Sequence, residues 1–418
     1  MEQAKKITGQ VEVSQIKIEG VPDFKNKIEA SLQKNTSELL EIILSGAIKL
    51  DASDIHIEPE EEKAKLRIRM DGILQDVLFF EKKIYQSLVS RIKLLSELKL
   101  NVSDRPQDGR FSILSSETPI EIRTSSLPAE YGEAIVMRIL NPKSLIDAEA
   151  LGLREDLTKI FNKEIEKPNG MIVVTGPTGC GKTTTLYAIL KKLNQPEVKI
   201  ITIEDPIEYH LEGISQTQVD PKKGYDFASG LRSIMRQDPD IVLVGEIRDF
   251  ETAKIALQAA LTGHLVLSTL HTNDAAGTIA RLQALGEKPV NIAPAINMAI
   301  AQRLVRKVCK KCVKFEKPRP EDLEKIKKAL KKTPAGLKIA KAKGCKLCNF
   351  IGYKGRLGIF EFFLVDDEME KFILTSPSIA GLREKAIKKG MVTMRQDGFI
   401  KVCQGLTTIE EVERITAE

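Results

Sequence analysis

Gly176-Pro177-Thr178-Gly179-Cys180-Gly181-Lys182-Thr183 packs three glycines, one lysine and two hydroxyls into eight residues. Glycines let a backbone curl so that its amides face one point, and a loop of this pattern cradles phosphate oxygens. The apolar run Met171–Val174 precedes it and a helical pattern over Thr184–Leu193 follows, which is the strand-to-helix setting the pattern needs. Lys182 is then placed to reach the outer phosphates of a nucleoside triphosphate, and Thr183 to ligate Mg²⁺, with Thr184 completing the loop. Cys180 fills a variable slot and is given no redox role.

Such a loop also needs acid nearby. Asp240-Ile241-Val242-Leu243-Val244-Gly245-Glu246 reads as a buried strand that delivers Glu246 beside the Mg²⁺ position. Glu204-Asp205-Pro206-Ile207-Glu208 follows another strand, Lys199–Ile203, and a carboxylate there could orient or deprotonate an attacking water. His264 and His271 bracket the short strand between them. Seven positions apart on a strand, they face opposite sides, which argues against a shared metal. Each is either a structural histidine or a γ-phosphate sensor.

Cys309-Lys310-Lys311-Cys312 and Cys345-Lys346-Leu347-Cys348 are two CxxC knuckles with 32 residues between them. Four thiolates offered in pairs suit tetrahedral Zn²⁺, and the lysines offset their charge. Binding of that kind contributes on the order of 10 kcal/mol to folding. A helical insert over Pro320–Lys331 could fill the gap. Cys403 stands alone and is expected to be packed.

These groups need elements to hold them. Leu39, Leu40, Ile42, Ile43, Ala47 and Ile48 follow helical spacing, as do Ile84, Leu88, Ile92, Leu95 and Leu98. Lys65–Met70 alternates like a half-buried strand, Asp71-Gly72 is a hairpin turn, and Ile73–Leu78 returns. Further on, Met171–Val174, Lys199–Ile203, Ile241–Val244 and His264–Thr269 alternate with helical patterns, which predicts a parallel sheet covered on both faces. Pro289–Val308 reads as a helix. The chain divides into a polar segment 1–35, a small α+β domain 36–145, a linker ending near Gly152, an α/β core 152–308, a Cys-rich insert 309–355 and a helical region 356–418. No internal repeat is visible.

Composition narrows the class. With 418 residues the chain has room for two to four folded units. Net charge is +6, from 64 basic against 58 acidic residues, which is compatible with a membrane-surface partner without demanding one. Trp is absent and aromatics are 5%, which argues against a base-stacking nucleic-acid surface. The basic stretches Lys307–Lys317 and Lys325–Lys346 read as solvated faces. No apolar run approaches the roughly 20 residues of a membrane span. Met1–Ile18 lacks a signal-peptide core, so a cytosolic chain with reduced cysteines is expected.

Taken together, these residues resemble the type II secretion and type IV pilus ATPases, over about residues 36–418. Met235–Asp249 is similar to that family's signature; the loop, Ile203–Glu208 (its acidic box) and Thr262–His271 (its His box) match as well. Ala52–Pro59 and Arg69-Met70-Asp71-Gly72 also look like family motifs. The resemblance implies an α/β, RecA-like P-loop ATPase core with an N-terminal α+β, PAS-like domain, a four-cysteine zinc insert and a helical C-terminal region. It implies Glu208 as base, Glu246 as metal-site acid, and His271 ahead of His264 as the γ-phosphate contact. It also implies an N-terminal-domain arginine at the nucleotide, with Arg110, Arg123 and Arg138 as candidates and Arg105 a weaker fourth. Such proteins form homohexamers that work on an inner-membrane platform protein, peripheral to the membrane and without direct contact to nucleic acid. The zinc insert favours the secretion and pilus-assembly branches over retraction motors. Relatives often carry a large N-terminal docking module, whereas about 35 residues precede the shared region here. A nucleic-acid translocase and a nucleotide-sensing scaffold are the competing classes.

Overall fold

The computed structural model describes residues 11–12, 17–115, 118–142 and 145–417. Most of the polar stretch Met1–Ile18, together with Lys143 and Ser144 of the linker, lies outside them. The chain forms two compact units. One comprises Met1–Ser144, Cys309–Val313 and Ala342–Gly355; the other comprises Leu145–Val308, Lys314–Lys341 and Arg356–Glu418.

The first unit starts with β1 (Val11–Glu12), α1 (Val21–Glu29) and α2 (Thr36–Lys49). Asn35 caps α2 by accepting the Glu38 amide at 2.9 Å. Leu39, Leu40, Ile43, Leu44 and Ala47 form its buried stripe. The segment expected to be polar and without a motif contributes α1, whose Phe24 and Ile28 are wholly buried in the core. Gly46 of α2 makes room for the Phe24 ring, since a Cβ there would lie 2.1 Å from it. Strands β2 (Asp54–Pro59), β3 (Lys63–Met70) and β4 (Ile73–Glu81), then α3 (Lys82–Leu95), β5 (Gln107–Ser115), β6 (Thr118–Ala129) and β7 (Gly132–Leu140), complete a sheet of order β1-β5-β6-β7-β2-β3-β4. Ala64, Leu66, Ile68 and Met70 of β3 point inward. The hairpin forms where expected, because Asp71 (φ 49°) and Gly72 (φ 84°) both adopt the left-handed conformation that a tight two-residue turn needs.

The second unit opens with α4 (Glu155–Ile165), β8 (Gly170–Thr175), α5 (Lys182–Leu193), β9 (Ile200–Glu204), β10 (Ser215–Gln218), α6 (Phe227–Ile234), β11 (Ile241–Val244), α7 (Phe250–Leu261), β12 (Leu265–Leu270), α8 (Gly277–Ala284) and α9 (Pro289–Ile292). It continues through β13 (Ile296–Val308), the small antiparallel pair β14 (Lys314–Glu316) and β15 (Ile339–Lys341) around α10 (Pro320–Leu330), and β16 (Tyr353–Leu364). Helices α11 (Asp367–Leu374), α12 (Ile379–Lys388), α13 (Met394–Cys403) and α14 (Ile409–Thr416) end the chain. Sheet order is β10-β9-β11-β12-β8-β13-β16. Every pairing from β10 to β13 is parallel. Met171, Val173, Val242, Val244 and Val266 pack on α6 and α7. Ile172, Val174, Leu243 and Leu267 pack on α4 and α5. The sheet is therefore covered on both faces, as short β-branched runs require.

Two expectations are corrected. Pro289–Val308 is one turn of helix followed by a strand, not a helix. Ile296 and Met298–Gln302 are all buried, and a run buried at successive positions suits a sheet interior next to β8. The C-terminal region, expected to be helical, begins with part of β16 at the sheet edge. Among the described residues no helix is long and apolar enough to cross a membrane.

Candidate functional site

Because β9, β11, β12 and β8 are neighbours and parallel, the segments leaving their C-terminal ends all emerge along one edge of the sheet. The glycine loop leaves β8, His271 leaves β12, Glu246 leaves β11 and the acidic box leaves β9. Four segments separated by up to about 100 residues in sequence thereby become adjacent.

Gly176 (φ 147°), Gly179 (φ 79°) and Gly181 (φ 91°) bend the loop through backbone that side-chain-bearing residues rarely adopt. A Cβ on Gly179 would meet nothing within 4 Å, so the crest of the loop is open. Lys182 folds back so that its Nζ donates to the carbonyls of Gly176 (2.8 Å) and Pro177 (3.2 Å). Burial pulls its pKa down, against the opposing pull of the Cys180 and Glu246 charges. A half-buried ammonium resting on carbonyls over a curled loop fits a phosphate, and Thr183 sits one residue on, in the first turn of α5. Burial pushes the Cys180 thiol up, which leaves it unreactive.

Glu246 lies 2.5 Å from Arg248 Nη2 and 3.8 Å from His271 Nε2. The half-exposed His271 imidazole is held below its ordinary pKa by burial first and by the Lys182 charge second. Its backbone neighbour Thr272 is pinned to the root of the glycine loop, with Thr272 N–H and Oγ1 at 2.8 and 2.7 Å from Thr175 Oγ1.

His264 is not brought to this edge. Leu265 pairs with Gly170 and Leu270 with Thr175, so His264 precedes the strand at the edge opposite the loop. Its Nδ1 lies 3.1 Å from the Ala259 carbonyl at the end of α7. About seven residues at roughly 3.3 Å each separate it from His271.

Within the acidic box the structure separates two carboxylates. Glu204 is buried and both its oxygens are engaged, one by the Tyr187 hydroxyl, the other by Thr202 Oγ1 (2.6 Å) and Gln216 Nε2 (3.2 Å). Burial and the Glu204 charge push the Tyr187 phenol far up. Glu208 is half-buried. Gln302, Arg303 and Thr175 also surround the loop. Nothing in their own sequence flags them, because Gln302 and Arg303 lie in a stretch read as helix.

In the first unit the three arginine candidates form one row. Arg110 pairs with Arg123, Arg123 with Arg138, Arg138 with Asp54, and Asp54 with Arg69, each directly across neighbouring strands. They therefore share one face. Asp54 accepts from Arg138 at 3.0 Å and lies 3.4 Å from Arg69. Arg123 lies 3.3 Å from Glu121. Like charges placed opposite one another destabilise a sheet, and Asp54 and Glu121 offset part of that repulsion. Arg105 precedes β5, pairs with the adjacent Asp104 at 3.3 Å and stands outside the row.

Cys309, Cys312, Cys345 and Cys348 form the one cluster of metal-ligating groups among the described residues, with all four sulfurs within 4.8 Å of one another. Sγ separations are 3.9 Å (Cys309–Cys345) and 3.7 Å (Cys312–Cys348 and Cys345–Cys348). Four sulfurs about 2.3 Å from one tetrahedral ion stand about 3.8 Å apart, which these three separations match, so the cluster fits Zn²⁺. Amides of Gly344 and Cys345 donate to Cys312 Sγ (3.3 Å) and Cys348 Sγ (3.1 Å), which favours thiolate. Lys310, Lys311 and Lys346 lie within the knuckles, between their cysteines. The four cysteines belong to the first unit, although residues 314–341 between them belong to the second. Asn349, just past the second knuckle, accepts the Val21 amide at 2.9 Å and so caps α1, whose own N-cap, Gly20, has no side chain. Asp71 of the hairpin turn accepts the Gly355 amide at 2.9 Å.

A glycine loop at the centre of a parallel sheet of this order, with acid and imidazole on the adjoining strands, makes this a P-loop nucleotide-binding ATPase fold. A profile described as Type II/IV secretion system protein matches residues 29–414. The chain belongs to that family. It is 46% identical over 401 residues to the Type II secretion system protein E of Dickeya dadantii, covering 96% of this chain and 79% of that protein. It is 43% identical over 401 residues to the Type IV pilus assembly ATPase PilB of Thermus thermophilus, covering 96% of this chain and 44% of that protein. Among solved structures, the pilus retraction motor PilT with bound ADP aligns at a TM-score of 0.60 with 27% identity, over 89% of this chain and 95% of that one. The Legionella pneumophila ATPase DotB shares the fold at a TM-score of 0.65 with 21% identity, over 97% of this chain and 98% of that one.

Proposed function

We propose that this chain is the ATP-hydrolysing subunit of a homohexameric motor. It would power type II protein secretion or type IV pilus assembly at the cytoplasmic face of the inner membrane, acting on a platform protein there. The observation that carries the proposal is the meeting of Lys182, Glu246 and His271 at one sheet edge: Lys182 and His271 each feel the Glu246 charge, and His271 also feels that of Lys182.

In this reading the amides of residues 176–183 hold the ATP phosphates and Lys182 reaches the outer two. Thr183 and Glu246 hold Mg²⁺, which when bound offsets phosphate charge. Glu208 orients the attacking water and accepts its proton. Glu204 is excluded from that role by its occupied oxygens. His271, neutral at pH 7, donates to or senses the terminal phosphate. One or more of Arg110, Arg123 and Arg138 supplies positive charge during turnover, a contribution worth roughly 10³–10⁵ in rate where an arginine completes the shell. Zn²⁺ held by Cys309, Cys312, Cys345 and Cys348 is structural.

The test is ATP hydrolysis as a function of protein concentration, with Lys182→Ala as control. Specific activity that rises with concentration and vanishes in the variant supports a site completed by assembly. Activity from a species that light scattering identifies as a monomer would refute the ring motor.

A further inference from the structure

Gln302 sits on β13 beside the root of the glycine loop and is 2% exposed. A buried side-chain amide must satisfy both of its ends. Here Nε2 donates to the Cys180 carbonyl at 2.9 Å, and Oε1 accepts from Thr185 Oγ1 at 2.8 Å. Thr185 is itself buried on the first turn of α5, and the Cys180 carbonyl, which can only accept, dictates which way the amide points. Its chain neighbour Arg303 is engaged elsewhere, with Nη2 donating to the Asn273 carbonyl at 3.1 Å.

The consequence follows from the peptide plane. In a trans peptide the carbonyl of one residue and the amide N–H of the next point in opposite directions. Holding Cys180 C=O against Gln302 therefore turns the Gly181 N–H the opposite way. Gly181 adopts left-handed φ (91°), so its own backbone does not enforce that plane as a side-chain-bearing residue would. The Cys180 N–H is already engaged by the Pro177 carbonyl at 3.3 Å.

We propose that Gln302 is a positioning residue for phosphate binding: by gripping the Cys180 carbonyl from the adjacent strand, it aims the Gly181 amide at the nucleotide phosphates. This rests on the glycine loop being the nucleotide site. Gln302 touches no substrate. It sets the orientation of a donor that does.

The test is calorimetric titration of Mg·ADP into the full chain, with steady-state ATP hydrolysis alongside. Gln302→Leu keeps the volume and leaves the Cys180 carbonyl and the Thr185 hydroxyl without their partner. ADP affinity should weaken roughly 10- to 100-fold, and KM for ATP should rise in parallel with kcat nearly unchanged, as for loss of uniform binding. Gln302→Glu is the second variant. Protonated, its carboxyl can still donate to the Cys180 carbonyl; ionised, it cannot. Relative to wild type, its ADP affinity should therefore fall as pH is raised from about 5.5 to about 8, across the range in which a buried carboxyl ionises. A packing role would not produce that profile. Wild-type ADP affinity in Gln302→Leu would overturn the proposal. If that variant loses its cooperative thermal transition, a pH profile of Gln302→Glu parallel to wild type would overturn it instead. Failure of the wild type to bind ADP, or binding by Lys182→Ala equal to wild type, would sink the nucleotide-site reading itself and is distinguishable from either result.

Discussion

Asp397 tests what holds the ATPase unit together. It is fully buried on α13 and accepts from Arg154 Nη1 (2.5 Å), Lys401 Nζ (2.9 Å) and the Phe360 amide of β16 (2.8 Å). Lys401 is 2% exposed and has the Gly358 carbonyl as its other acceptor, at 2.5 Å. Burial pulls the Lys401 pKa down, and the Asp397 charge counters it. Asp397→Asn preserves shape and removes the only carboxylate facing this ammonium among the described residues. Breaking a buried pair in this way costs about 3–5 kcal/mol, because the surviving charge is uncompensated. Arg154 suffers less, since it keeps a bidentate contact with Asp156 at 3.0 and 2.8 Å. For a unit of this size each kcal/mol moves the midpoint by about 2–4 °C, so the fall should be roughly 6–20 °C by scanning calorimetry. Adding Lys401→Met to the same chain removes the stranded cation and should restore most of the loss. A single variant that melts with wild type, or a double variant no better than the single, would refute the assignment of the cost to an unpaired buried charge.

Three further outcomes are expected. Glu208→Gln should slow hydrolysis roughly 10²–10⁴-fold while Mg·ADP titration stays near wild type; Glu204→Gln should instead act through stability, since its partners are internal, and equal kinetic losses in both would contradict the separation of the two carboxylates. His271→Ala should lower turnover and His264→Ala should leave it unchanged. Because burial and Lys182 lower the His271 pKa from 6.5, the imidazole is neutral above that value, and its share of the rate should be flat there and be lost only as pH falls below it. Asn349→Ala should remove the cap on α1, costing about 0.5–2 kcal/mol, and speed amide exchange over Val21–Glu29 without changing exchange around the glycine loop.

Much of the site was legible because it is local. The loop carries its geometry in three glycines, the Asp71-Gly72 turn in two residues, and each knuckle in four. The two knuckles could be paired from sequence because each offers half of a tetrahedral thiolate set, and the sulfur separations agree. The arginines could not be ranked, and their register shows why: Arg110, Arg123 and Arg138 are one row, distributed over three strands. Pro289–Val308 was misread because its continuous apolar stretch, Met298–Ala301, is too short and too uniform to carry the periodicity that separates a strand from a helix.

The sequence by itself determined which chemical groups exist: a phosphate loop, a carboxylate at the end of each of two strands, two histidines and a tetrathiolate. Only the tertiary structure decided which of them meet. Strand order and parallel direction place His271 beside Glu246 and carry His264 to the far edge. The pairing of β13 with β8 brings Gln302 to the Cys180 carbonyl across 122 residues of chain. The fold also occupies both oxygens of Glu204, which sets it apart from Glu208 in the same box. Each of these depends on contacts between segments remote in the chain, and no spacing within a single segment encodes them.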